Sequence, residues 1–135
     1  MLTYGDGVSN VNIAALEDFH RSHGKLATIT TINVGQRFGV LDIGEDNSIH
    51  AFREKSDSDG SMINAGFMVL NPEVFDYIKD DSTVFEQEPL ENMSRNGQVM
   101  AYKHEGFWQC MDTQRDKKKL EELWLNNQAP WRIWE

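Results

Sequence analysis

Two aspartates are the residues best placed to do chemistry. Asp6 lies in Tyr4-Gly5-Asp6-Gly7-Val8, where a short apolar run ends in a turn and two glycines let a ligand approach the backbone closely. Asp112 lies in Phe107-Trp108-Gln109-Cys110-Met111-Asp112-Thr113, where an apolar run meets the last helical stretch. Two carboxylates delivered from separate strand ends are able to hold one Mg²⁺ through a few oxygens and leave its other positions for substrate phosphates. Turns and helix N-caps select the same residue types, so Asp6 as a turn former and Asp112 or Thr113 as a cap stay open beside the metal reading.

Three further places carry a similar ambiguity. In Glu54-Lys55 the lysine is able to neutralise a phosphate and the glutamate to accept hydrogen bonds from hydroxyls, or the two form a solvated pair. Asn64-Ala65-Gly66 interrupts an apolar strand with an amide and a glycine, which marks either a site where a ligand comes close or a bulge. Gly39, in Arg37-Phe38-Gly39-Val40, poses the same choice. Gly5-Asp6-Gly7 opens like a dinucleotide fingerprint, but position 10 is Asn10 and the third glycine is missing. His20 and His23 are three apart on one helix without an evident third ligand, and His20 falls on the apolar side, which favours a core role over a metal. Trp108, Trp124, Trp131 and Trp134 read as core or subunit-contact residues, and Cys110 as a small buried apolar one.

The elements that must position these residues alternate between the two periodicities. Leu2 to Tyr4 reads as the end of a strand. Asn12 caps a helix carrying Ile13, Leu16, Phe19 and His20, and Gly24 stops it. Leu26 to Val34, uncharged and rich in β-branched residues, predicts a buried strand parallel to the first. Phe38 to Ile43 and Ser48 to Arg53 flank the polar turn Gly44 to Asn47 and form a hairpin. Ile63 to Leu70 is a central strand, Asn71-Pro72 starts a helix, Pro89 to Ser94 lies in another that closes at Asn96-Gly97, and Gln98 to His104 alternates as a strand. A last helix spans about Thr113 to Trp124. The pattern is mixed α/β over one domain, residues 1–135, with no internal linker.

Composition narrows the function classes. With 135 residues, 39% of them hydrophobic and 26% charged, the chain has one modest core. A formal net charge of −9 argues against wrapping nucleic acid or an anionic membrane surface. The apolar stretches are too short to cross a bilayer and the N-terminus lacks the pattern of a signal peptide, so the expected compartment is the cytoplasm, and the single cysteine agrees with a reducing one.

Taken in order, Tyr-Gly-Asp-Gly-Val, Arg-Phe-Gly-Val, Phe-Arg-Glu-Lys, Ile-Asn-Ala-Gly-Phe-Met-Val-Leu-Asn-Pro-Glu-Val-Phe and Phe-Trp-Gln-Cys-Met-Asp-Thr resemble the sugar-phosphate nucleotidyltransferases. The segments Phe85 to Leu90, Met111 to Lys117 and Ala129 to Trp134 point to the branch that uses CTP and glucose 1-phosphate. The resemblance implies a Rossmann-like fold, a mixed and mainly parallel sheet flanked by helices. It also implies transfer of a cytidylyl group from CTP to glucose 1-phosphate, giving CDP-glucose and pyrophosphate for deoxysugar and O-antigen polysaccharide synthesis. In that family the aspartates matching Asp6 and Asp112 hold the catalytic Mg²⁺, and the lysine matching Lys55 contacts the sugar phosphate. The glutamate matching Glu54 binds sugar hydroxyls, and the segments around Gly39 and Asn64 to Gly66 line the sugar pocket. Cys110 stands where the family usually has proline.

Family members carry, before the aspartate turn, a nucleotide-binding half with a glycine-rich loop that has no counterpart among the motifs here. The expectation is therefore a portion holding the sugar and metal side of the site, working with a separate N-terminal half or as a homo-oligomer. The alternative is a catalytically silent sugar-phosphate-binding or subunit-contact module. A Mg²⁺-dependent phosphatase built on Asp6 and Asp112 is weaker, because no water-activating base suggests itself.

Overall fold

The computed structural model describes residues 1–33, 40–53 and 62–134. In chain order these form β1 (Leu2–Thr3), β2 (Gly7–Ser9), α1 (Ile13–His23), β3 (Ala27–Asn33), β4 (Val40–Ile43), β5 (Ile49–Arg53), β6 (Met62–Leu70), a 3₁₀ helix (Pro72–Tyr77), α2 (Glu88–Arg95), β7 (Val99–Lys103), β8 (Trp108–Cys110) and α3 (Gln114–Leu125). The main sheet has the order β1-β6-β3-β7; β2 pairs with β8 and β4 with β5 in separate two-stranded ribbons.

β3 and β7 form a parallel ladder, whereas β6 runs antiparallel to both β1 and β3. Three strands, β1, β3 and β7, thus point one way, and the fold is a mixed sheet. β3 is parallel to β1, as its composition predicts, but β6 lies between them. Carboxyl ends of parallel strands are where open α/β sheets place ligands. β1, β3 and β7 all finish towards that end, and β6 starts there, with Met62 opposite Asn33.

Both faces of β3 are covered, which is why its sequence lacks charge. On one face Ala27 and Ile29 pack with Met68, Leu90, Met93, Val99 and Ile49, joining the sheet to α2 and to the hairpin. The hairpin turn is tied to β7 by the Ala101 N–H, which donates to the Asn47 carbonyl at 2.8 Å. On the other face lies α1, whose start and stop follow from local chemistry. Asn12 Oδ1 accepts from the Ala15 N–H at 3.0 Å, and Gly24 ends the helix at φ +66°, in the left-handed region that glycine enters without strain.

The histidines of α1 close a ring of hydrogen bonds rather than facing a metal. The Lys25 N–H donates to His23 Nδ1 at 2.9 Å, which leaves the proton of the neutral ring on Nε2, directed at Thr28 Oγ1. Thr28 in turn donates to His20 Nδ1 at 2.8 Å, His20 Nε2 donates to Asn71 Oδ1 at 2.8 Å, and Asn71 Nδ2 returns to the Lys25 carbonyl at 3.3 Å. Asn71 is thereby engaged, so it makes no side-chain cap, and the helix begun at Pro72 is a short 3₁₀ turn rather than an α-helix.

Burial, followed by the nearby His20 and Lys25 charges, holds His23 below the ordinary imidazole range. The unfolded chain therefore takes up the proton first as pH falls. Stability is full above about pH 6.5 and declines below it, down through the lowered native value. The urea midpoint should drop between pH 7.5 and 5.5, with a smaller drop in His23→Gln; an equal drop in the variant removes His23 as the cause.

Candidate functional site

The β2–β8 ribbon brings the two aspartates together. Gly7, Val8 and Ser9 pair with Cys110, Gln109 and Trp108, and the Met111 N–H extends the ladder by donating to the Asp6 carbonyl at 2.7 Å. Asp6 is thus opposite Met111, and Asp112 follows at the same open end. Both side chains are exposed, and among the described residues neither enters an ion pair. An alanine Cβ built at Gly5 meets nothing within 4 Å, so the turn leaves the space beside Asp6 open.

The two readings of the second aspartate separate here. Thr113, not Asp112, is the N-cap of α3: its Oγ1 accepts from the Asp116 N–H at 3.1 Å. Asp116 Oδ2 reciprocates by accepting from the Thr113 N–H at 3.1 Å and from the Asp112 N–H at 3.2 Å. The Asp112 carboxylate is left out of this capping box. Its described hydrogen bond is with Cys110, whose Sγ–H donates to Oδ2 at 3.4 Å.

Cys110 itself is half-buried rather than buried, because it closes a ribbon that is open at this end. Burial first, and then the Asp112 carboxylate beside it, push the thiol up to about 11. The protonated thiol donates to Asp112, and no thiolate competes for a cation at neutral pH.

The ribbon is anchored to the main sheet at a bulge in β6. Ile29 pairs with Met68 and Thr31 with Asn64, so Ala65 to Phe67 oppose a single residue of β3. Three polar backbone groups of the bulge find partners outside the β3 ladder. Trp108 Nε1 donates to the Ala65 carbonyl at 2.9 Å, the Tyr4 N–H to the Gly66 carbonyl at 3.2 Å, and the Gly66 N–H to Asn64 Oδ1 at 2.8 Å. Gly66 has φ +83°, and a Cβ there would stand 2.6 Å from Tyr4 Cδ2. The glycine is therefore explained by a bulge and by the close approach of Tyr4. Asn64 Nδ2 donates to Tyr4 Oη at 2.9 Å. Burial, then the Glu86 carboxylate next to the hydroxyl, raise the Tyr4 phenol above its ordinary range, partly offset by Asn64.

Asp6, Asp112, Asn64 and Gly66 are thus gathered around the turn after β1, whereas Gly39, Glu54 and Lys55 lie outside the described residues. Trp108 packs on Ile32, Ile63 and Ala65. Trp131 stacks on Phe107, while Trp124 and Trp134 are exposed. Residue-type reasoning missed Asp116, Tyr4 and Glu86. A signal existed for the first, since Thr113-x-x-Asp116 before an apolar periodicity has the spacing of a capping box. None existed for Glu86, which reaches Tyr4 only through the fold.

Among the described residues no helix is long and apolar enough to cross a membrane, and no three His, Cys, Asp or Glu side chains converge on one point. A family model described as nucleotidyl transferase matches residues 1–121. The chain is 52% identical over 135 residues to a glucose-1-phosphate cytidylyltransferase of Salmonella typhi, covering 100% of this chain and 52% of the relative. It is 36% identical over 119 residues to a mannose-1-phosphate guanyltransferase of Saccharomyces cerevisiae, covering 84% of this chain and 33% of the relative. Among solved structures, HddC from Yersinia pseudotuberculosis superposes with a TM-score of 0.71 at 21% identity, over 89% of this chain and 52% of that one. The Salmonella relative is thus about twice as long as this chain, and the yeast one longer still.

Proposed function

The chain belongs to the nucleotidyl transferase family, and we propose that it serves the transfer of a cytidylyl group from CTP to glucose 1-phosphate, releasing pyrophosphate and forming CDP-glucose for deoxysugar and polysaccharide synthesis. The observation that carries this reading is the placement of Asp6 and Asp112 at one open ribbon end, at the side of the sheet where β1, β3 and β7 finish. The substrate pair follows the identity to the Salmonella relative along the full chain.

Two exposed carboxylates without ion-pair partners among the described residues suit a hard divalent cation, which prefers oxygen ligands. Mg²⁺ held by Asp6 and Asp112 would neutralise charge on the triphosphate as pyrophosphate departs. A phosphate oxygen of the sugar phosphate is already an anionic nucleophile. It attacks the α-phosphorus, the bond to the β-phosphate breaks, and no general base is required. The chain's own residues contribute position and charge: Lys55 beside the sugar phosphate, Glu54 accepting from sugar hydroxyls, and the Gly39 and Asn64 to Gly66 segments shaping the pocket.

The test is pyrophosphate release with CTP, glucose 1-phosphate and Mg²⁺, run on the chain alone and mixed with the part of the Salmonella typhi relative outside the matched half. Release that requires both substrates and the metal supports the reading. A folded mixture that binds glucose 1-phosphate without releasing pyrophosphate moves it to a sugar-phosphate-binding module, and one that binds neither substrate overturns it.

A further inference from the structure

Among the described residues Asp116 is the one buried acidic side chain, 8% exposed, and the proposed chemistry gives it no task. A capping box needs a carboxylate only for the N–H of the cap residue, here Thr113. Asp116 Oδ2 goes further and also takes the N–H of Asp112, at 3.2 Å. One residue earlier, the Met111 N–H is bonded to the Asp6 carbonyl at 2.7 Å. Three consecutive amides, those of residues 111, 112 and 113, are therefore tied down, the first to the partner aspartate and the next two to Asp116. Both peptide planes that flank the Asp112 Cα are held, so the direction of its Cβ is set before any ligand arrives.

We infer that Asp116 is a positioning residue for the metal site: its buried carboxylate fixes the backbone on both sides of Asp112, which follows the residue paired with Asp6, and α3 is the rigid body that carries it. The inference rests on the reading of Asp6 and Asp112 as the ligands of a divalent ion. The geometry also explains why a second carboxylate sits so close to a cation site without joining it. Asp116 is turned inward, engaged by two amides at the start of α3, where the helix dipole favours its charge. Groups that orient a ligand in this manner typically alter metal affinity by about 10–100-fold when removed.

The experiment titrates the full chain with Mn²⁺ and follows water-proton relaxation enhancement, a signal that needs no turnover. Asp6→Ala and Asp112→Ala test the ligands, Asp116→Ala tests the orienting carboxylate, and Thr113→Ala weakens the start of α3 while keeping the Asp116 bond to the Asp112 amide. Asp116→Ala is expected to raise the Mn²⁺ dissociation constant about tenfold or more, with Thr113→Ala close to the parent chain. Should Asp116→Ala lower the folded fraction, Asp116→Asn replaces it, keeping the volume and one acceptor; the same ordering, with a smaller shift, is expected. If Asp116→Ala or its Asn replacement leaves affinity unchanged while both ligand variants abolish binding, the positioning role is wrong and the ligand assignment stands. Equal weakening by the Thr113 and Asp116 variants reduces Asp116 to a helix cap. Binding that survives in both ligand variants, or is absent from the parent chain, overturns the ligand reading and the inference with it.

Discussion

Asp112→Ala is expected to lower cytidylyl transfer in the complemented assay by roughly 10²–10³-fold, the usual cost of deleting one preorganised electrostatic group where charge develops. Asp6→Ala should lose about as much. Both side chains are exposed and outside the core, so the thermal midpoint should move little. The informative variant is the double one. Two carboxylates that hold a single ion act as a unit, and removing the second after the first should cost far less than the product of the two separate losses. Measuring kcat/KM for the parent, both single variants and the double variant decides this. Fully multiplicative losses would mean that the two carboxylates act independently, against a shared ion.

Gly66→Ala should destabilise the fold by roughly 2–5 kcal/mol, from left-handed backbone strain of about 1–2 kcal/mol plus a steric overlap of similar or larger size. The overlap is with the Tyr4 ring, 2.6 Å from the new Cβ at Cδ2 and 3.0 Å at Cγ. The ring cannot simply withdraw. Its hydroxyl is held by Asn64 at 2.9 Å, and its backbone N–H is bonded to the carbonyl of Gly66 itself at 3.2 Å. Tyr4 lies two positions before Asp6, so the variant should also weaken Mn²⁺ binding. Urea unfolding of Gly66→Ala in the parent and in a Tyr4→Ala background separates the causes, since the strain and a 3.3 Å contact with the residue 4 Cβ remain once the ring is gone. A full penalty in the Tyr4→Ala background would show that ring overlap is not responsible.

The elements whose causes lie within a few residues are legible in the sequence alone. The Asn12 cap and Gly24 stop of α1, the hairpin around Gly44 to Asn47, and the buried character of β3 each follow from side-chain hydrogen bonding, left-handed backbone preference or an uncharged β-branched run. The ordered motifs around Asp6 and Asp112 likewise pointed to the nucleotidyl transferase family, because they lie in uninterrupted stretches of chain.

Long-range pairing was a different matter. Nothing near β1 or β3 announces that β6 lies between them, and nothing near Gly66 announces that Tyr4 will fill the space over it. The amide of Asn71 looks like a helix cap until His20, from another element, takes its oxygen. Asp112 and Thr113 both suit the cap of α3 by residue type, and the cap falls to Thr113 because its hydroxyl accepts from the Asp116 N–H. Local propensity acts over one or two turns of chain, whereas these outcomes depend on which groups packing brings together and which buried donors and acceptors must then be satisfied. The two aspartates were readable as residues; their adjacency, across more than a hundred positions, exists only because β2 and β8 pair.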